Sequence, residues 1–150
     1  MATDLIIRPL RASDRKHWAE LWTKYLAFYE TTLAPEVFDT AFERLLSDRS
    51  NEFSGLIAER DGQPIGLAHY LFHRKLWSVE DTCYLMDLFV DPDCRGGGIG
   101  RALIEAVHDA AKACGIPITY WITQEFNYKG RMLYDRVADR TPFIVYEKQG

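Results

Sequence analysis

The sequence predicts an α/β (α+β) domain in which a mixed sheet is flanked by helices. Three observations carry the prediction. Apolar residues recur at helical spacing through the first third of the chain, and an Asp-Gly hairpin signal joins two strand-like runs in the middle. A nearly continuous apolar strand then leads through a glycine turn into an alanine-rich helix. The 150 residues suit one domain, 1–150, since a chain of this length buries about 70% of its unfolded surface.

The elements follow in order. Leu5-Ile6-Ile7 reads as a first strand closed by Pro9. Ser13 looks like a helix N-cap with Asp14 in the first turn, and Trp18, Leu21, Trp22, Tyr25 and Tyr29 form one aromatic face. A second helix fits Pro35 to Leu46, with Pro35 in its first turn and Val37, Phe38, Ala41, Phe42, Leu45 and Leu46 as its apolar stripe. Strands at Leu56–Glu59 and Ile65–Tyr70 flank the Arg60-Asp61-Gly62-Gln63 turn. Cys83–Val90 reads as a central strand, and the helix after the glycine turn reaches about Cys114, where Gly115 and Pro117 stop it. Ile118–Ile122 is strand-like, Asn127 opens a short helix, and Phe143–Tyr146 reads as a last strand.

Charge and composition exclude several classes. A net charge of −4 argues against a protein built to hold nucleic acid, which needs a basic face, but it leaves room for a cationic small-molecule substrate. No apolar run approaches the roughly 18 residues of a membrane span, and Met1-Ala2-Thr3-Asp4 opens no signal segment. Cys83, Cys94 and Cys114 are isolated and odd in number, which points to a reduced, soluble, cytoplasmic protein without a zinc or disulfide framework. His69 and His73 stand roughly 13 Å apart on one strand, too far to share a metal, and neither His17 nor His108 has a ligand-like partner. No metal is expected.

The most informative stretch is Asp91-Pro-Asp-Cys-Arg95-Gly96-Gly97-Gly98-Ile99-Gly100-Arg101. Glycines let a backbone turn its N–H groups toward a ligand, and a helix N-terminus adds about half a positive charge, so the turn is an anion site, most simply for phosphate. The glycine spacing fits neither the dinucleotide fingerprint nor a Walker A loop.

Arg95-x-x-Gly98-x-Gly100, following Tyr84-Leu-Met-Asp-Leu-Phe-Val90, resembles the acetyl-CoA motif of the GNAT superfamily of N-acetyltransferases. The later Asn127-x-x-x-x-x-Leu133-Tyr134 resembles that superfamily's second signature. The likeness runs from about Leu5 to Tyr146 and implies a mostly antiparallel central sheet. Tyr120-Trp121-x-Thr123-x-x-x-Asn127 and the aromatic first helix are similar to a subgroup of yeast histone, polyamine and D-amino-acid acetyltransferases. The Tyr-Leu-x-Asp-x-Phe-Val strand is similar, more weakly, to the spermidine and thialysine enzymes.

The resemblance implies an acetyl-CoA-dependent transfer to the primary amine of a small molecule, by direct attack through a tetrahedral intermediate. It implies that backbone groups of Leu88, Phe89 and Val90 pair with the pantetheine arm, with the Leu88 N–H facing the thioester oxygen. Arg95, Gly96, Gly97, Gly98, Ile99, Gly100 and Arg101 would wrap the pyrophosphate, and Asn127 would contact CoA. Tyr134 would stand near the sulfur as general acid. Homodimers are common among the proteins it resembles.

Two alternatives stand beside this reading: a non-catalytic acyl-CoA-binding regulatory module, and a protein or histone-tail acetyltransferase. The spermidine-type enzymes carry a glutamate where this chain has Met86, so the general base is open. Asp87, in an otherwise apolar strand, is a candidate for catalysis and for the substrate ammonium, or else a structural ion pair. Tyr29 and Glu30, at the end of the aromatic helix, are candidates for substrate contact; Glu30 also reads as a solvated surface acid, and Glu125, in the loop after a strand, is a further candidate acid. Trp18, Trp22 and Tyr25 read as core, and Trp77 as a candidate wall of the acceptor pocket.

Overall fold

The structure, a computed structural model, describes residues 4–150; Met1–Thr3, where the reading of the N-terminus begins, lie outside the described residues. Five strands form one sheet in the order β1-β2-β3-β4-β5. They are β1 (Ile6–Pro9), β2 (Ser54–Arg60), β3 (Gln63–His73), β4 (Thr82–Val90) and β5 (Thr119–Tyr120). The first four pair antiparallel, and β4 pairs parallel with β5. The helices are α1 (Arg15–Phe28), α2 (Pro35–Leu45), α3 (Ile99–Ala113) and α4 (Tyr128–Val137).

Strand alternation sorts the core into two layers. Ile57, Leu67 and Phe89 meet Trp18, Leu21, Trp22, Phe42 and Leu45 of α1 and α2. Leu56, Ala58, Ala68, Cys83 and Leu85 meet Ile99, Leu103, Ile104, Val107 and Ala111 of α3, with Leu133, Tyr134 and Val137 of α4 packed alongside. Each fully buried aliphatic side chain contributes about 1.5–3 kcal/mol. The β2–β3 turn is the expected hairpin: Asp61 and Gly62 both take positive φ, +57° and +73°, which suits the twist of the two strands.

Two ion pairs bind α1 to the sheet. The Arg8 guanidinium of β1 donates to both oxygens of Asp14, at 2.8 Å each, and to Glu59 of β2 at 3.2 Å. Lys24 donates to Asp91, just past β4, at 2.8 Å.

The structure corrects three sequence expectations. Ser13 does not cap α1; it lies in a 3-10 turn, Ala12–Asp14, and the N-cap position falls to Asp14, whose carboxylate turns back to Arg8 and to the Arg11 N–H at 2.7 Å and caps no α1 amide. The strand expected at Ile118–Ile122 shrinks to Thr119–Tyr120, because β5 meets β4 only at Cys83 and Tyr84 before the two diverge. The last strand expected at Phe143–Tyr146 does not form. Its side chains are exposed, Tyr146 to 90%, and among the described residues no neighbouring strand offers a ladder.

Candidate active site

The site begins with the divergence of β4 from β5. Past Tyr84, the outer edge of β4 has no strand of the described residues beside it. A β-bulge sits here: His69 pairs with Asp87 and Tyr70 with Leu85, so Met86 is the extra residue. The Asp91 N–H donates to the Ile65 carbonyl of β3 at 2.8 Å. Counting back by alternation, the Phe89 and Asp87 amides also face β3, while the N–H and C=O groups of Leu88 and Val90 face the open edge. The Arg95 Nε–H reaches the Val90 carbonyl from that side at 3.2 Å. Before the bulge the phase is opposite, since the Cys83 N–H donates outward to the Ile118 carbonyl at 2.9 Å.

The glycine turn continues from this edge. Gly96, Gly97 and Gly98 adopt φ of +97°, +77° and +75°, a region in which a side chain is strained. A Cβ on any of them would meet nothing within 4 Å, so these glycines serve the backbone path and not packing. Gly98 is the N-cap of α3 and supplies no capping side chain, which leaves the first-turn amides of the helix for an anion. Ile99 is buried and pins the helix start. At Gly100 a Cβ would touch Leu133 of α4 at 3.4 Å. Arg101 is exposed and pairs with Glu105 at 3.0 Å. An open glycine cradle, an uncapped helix end and a free strand edge fit a phosphate-bearing ligand with a peptide-like arm.

On the α1 face of the same edge lies Asp87. Its Oδ1 accepts from the Tyr25 hydroxyl and its Oδ2 faces His69 Nδ1, both at 2.8 Å. His69 Nε2 in turn accepts from the Trp18 indole N–H at 2.9 Å. The Asp87 side chain keeps 19% of its surface, and among the described residues no lysine or arginine pairs with it. Tyrosines surround it. Burial, and then the Asp87 charge, push the Tyr25 phenol far above its usual range; burial raises Tyr29 and Tyr84 as well, with Asp87 adding to both. Tyr25 and Tyr29 meet edge to face at 5.2 Å, and Tyr84 stacks on Tyr120 at 4.8 Å.

The other wall is α4. Asn127 is its N-cap: Oδ1 accepts from the Gly130 N–H at 3.3 Å and Nδ2 donates to the Thr123 hydroxyl at 3.0 Å. Tyr134 packs edge to face on Trp121 at 5.5 Å. Burial raises its phenol above the ordinary value, and the nearby Tyr29 adds to this, so it is a proton donor at neutral pH.

Thus Tyr29, Asp87, the Leu88 and Val90 backbone, the 95–101 turn and Tyr134 all border the β4 edge. Phe89 lies inward, its side chain buried against α1. Glu30 is exposed at φ +55° in the turn after α1, and Glu125 is exposed before α4. Trp77 projects from the β3–β4 loop, 85% exposed. Among the described residues no cluster of His, Cys, Asp or Glu could hold a metal, and no helix is long and apolar enough to cross a membrane. Sequence reading missed Tyr25, which it assigned to the core, and the pairing of His69 with Asp87. The usable signal was a polar pair placed on two otherwise apolar strands.

Comparison with known proteins shows the family and the fold. The family model described as acetyltransferase (GNAT) matches residues 16–138. The chain is 35% identical over 147 residues to the D-amino-acid N-acetyltransferase HPA3 of Saccharomyces cerevisiae, covering 97% of this chain and 91% of that one. It is 29% identical over 142 residues to the N-acetyltransferase YhfO of Bacillus subtilis, across 93% and 94% of the two chains. Among solved structures, the aminoglycoside acetyltransferase AAC(6')-Iy, in complex with a CoA-based bisubstrate analogue, superposes with a TM-score of 0.84 at 20% identity, across 99% of both chains.

Proposed function

The chain belongs to the acetyltransferase (GNAT) family and is an acetyl-transferring enzyme; from that premise we propose that it N-acetylates a small primary amine that binds as a cation, using acetyl-CoA. The observation that carries the substrate class is Asp87: a carboxylate in a tyrosine-walled cleft, held by two hydrogen-bonding neighbours, with no cationic side chain among the described residues paired to it. A carboxylate so placed is costly unless the ligand brings the positive charge. The D-amino-acid specificity in the name of the yeast relative is consistent with an ammonium-bearing acceptor.

Acetyl-CoA would supply an acetyl group activated as a thioester, held by the 95–101 turn, the α3 N-terminus, the Leu88 and Val90 backbone and Asn127. The Leu88 N–H is a preorganised donor for negative charge developing on the carbonyl oxygen. An alkyl ammonium near pKa 10.4 must lose a proton before it can attack, and Asp87 would orient it and draw that proton off. Tyr134 would protonate the departing thiolate. A phenol held above 10 keeps its proton until charge develops on sulfur.

We further propose a homodimer in the cytoplasm. Among the described residues the exposed Phe143–Tyr146 run lacks a strand partner, and β5 has a bare outer edge beside a 410 Å³ groove lined by Thr119, Trp121 and Val137. The tail of a second copy would give both a partner. Three free cysteines suit a reducing compartment.

The functional test is CoA release from acetyl-CoA across polyamines, L- and D-amino acids, aminoglycosides and a histone-tail peptide, with thermal stabilisation by acetyl-CoA read in parallel. Stabilisation together with release on one class of cationic small amine is expected. Absence of stabilisation overturns the acetyl-CoA assignment, and release on the peptide alone overturns the small-molecule class.

A further inference from the structure

We propose that Trp18 and His69 are positioning residues for Asp87: Trp18 fixes His69 in the tautomer that donates to Asp87, and so reserves the carboxylate charge for the acceptor amine. This deepens the proposed function and rests on Asp87 as the acceptor's anchor.

The argument is an inventory of protons. An indole N–H can only donate. Trp18 Nε1 lies 2.9 Å from His69 Nε2, with the two residues 0% and 4% exposed, so no water intervenes to offer another solution. His69 Nε2 must therefore be the bare nitrogen. A neutral imidazole with a bare Nε2 carries its proton on Nδ1, and Nδ1 lies 2.8 Å from Asp87 Oδ2. The direction of every bond in the chain Trp18 to His69 to Asp87 follows. Tyr25 completes the set by donating to the other carboxylate oxygen, Oδ1, at 2.8 Å.

Two consequences matter for the reaction. Each Asp87 oxygen is held by one neutral donor and keeps a lone pair, so the carboxylate is fixed in orientation and its charge stays whole. The Trp18 bond also opposes a second proton on His69. A proton on Nε2 would point at the Trp18 N–H across 2.9 Å, with both donors buried. Among the described residues no cation is then left to neutralise Asp87, and the charge must arrive with the ligand in the cleft. A fully buried tryptophan on α1 thereby takes part in acceptor selection without touching the acceptor.

The experiment has two arms. In the unmodified protein labelled with 15N-histidine, long-range proton–nitrogen correlation at pH 7 reads the His69 tautomer directly. A protonated Nδ1 and a bare Nε2 are expected; a protonated Nε2, alone or in an imidazolium, overturns the proposal. This arm needs no substrate, so a chain that showed this tautomer but transferred no acetyl group would count against the functional reading alone. The second arm compares His69→Leu, which removes the donor, with His69→Asn, whose amide offers an N–H near the Nδ1 position. Leucine is expected to raise the acceptor KM at least fivefold while the acetyl-CoA KM stays within twofold, and asparagine to recover most of the loss. Equal loss in both variants, or a loss shared by the acetyl-CoA KM, would mean that His69 is merely structural.

Discussion

Replacing Asp87 with asparagine removes one charge and changes little else. The introduced amide has one acceptor and one donor end, and the surroundings dictate their placement. His69 can only donate from Nδ1, so the amide oxygen must face it; the NH2 then faces Tyr25, whose hydroxyl can turn to accept. Both contacts survive as neutral hydrogen bonds, and the fold should lose no more than a few degrees of Tm. The acceptor loses a charge-assisted bond, worth about 1.5–3 kcal/mol, and retains a neutral one worth about 0.5–1.5 kcal/mol. The difference, about 1–2 kcal/mol, converts to roughly a 5–30-fold fall in kcat/KM for the amine. Coulomb energy at 4 Å and an effective dielectric of about 20 would promise about 4 kcal/mol, but the partly open cleft screens it further. If Asp87 also draws off the ammonium proton, kcat falls further, by about 10²-fold. Steady-state CoA release with amine and acetyl-CoA varied separately, plus calorimetric titration of acetyl-CoA, reads each quantity. A folded Asp87→Asn enzyme whose amine kcat/KM stays within twofold of the parent would refute the assignment of the charge.

Three further outcomes are expected. Tyr134→Phe should lower kcat about 10²-fold while leaving acetyl-CoA affinity unchanged; because burial raises this phenol, the alkaline loss of activity that it controls must lie above pH 10, and a limb near pH 8 abolished by the substitution would contradict its role. Asp14→Asn should cost about 2–3 kcal/mol at pH 7, read by urea unfolding, since it breaks a nearly buried bidentate pair. Arg8 holds the Asp14 carboxyl below its unfolded value, so the pair's contribution is complete above about pH 4 and lost as pH falls through the lower folded value, and the gap between parent and variant must close there. The double change Ile144→Lys and Tyr146→Lys should convert a dimer to a monomer in sedimentation velocity, with an unchanged monomer fold by circular dichroism.

Elements with local causes were legible in the sequence. Pro35 at a helix start, Asp61-Gly62 in a hairpin and Gly115 after α3 all act through their own backbone preferences, and the observed bounds of α2 and β4 lie close to those expected, while β3 extends past the expected Ile65–Tyr70 at both ends. The glycine turn was legible for the same reason, since positive φ is a property of residue type. What stayed hidden was relational. Pairing of His69 with Asp87 depends on register, and the register turns on a bulge that no residue type announces. Tyr25 shares the helical face of Trp18 and Trp22 and was grouped with them, although its position one turn further along brings its hydroxyl to the cleft. Phe143–Tyr146 has the composition of a strand, but composition does not supply the neighbour that a strand requires.

Met86 acts as a one-residue phase shift in β4. Before it, odd-numbered side chains point toward α3; after it, Leu88 and Val90 take that side, and Asp87 and Phe89 turn toward α1. Were Met86 paired regularly in the ladder instead of bulged, plain alternation would exchange the two faces beyond it, sending the carboxylate into an aliphatic layer and the leucine into the tyrosine cleft. The bulge is therefore what turns Asp87 into the cleft. Met86 itself belongs to neither layer and is 46% exposed. It is the place in β4 where an acid could be introduced without being buried, and acceptor chemistry can diversify there by substitution while the phase on either side is preserved.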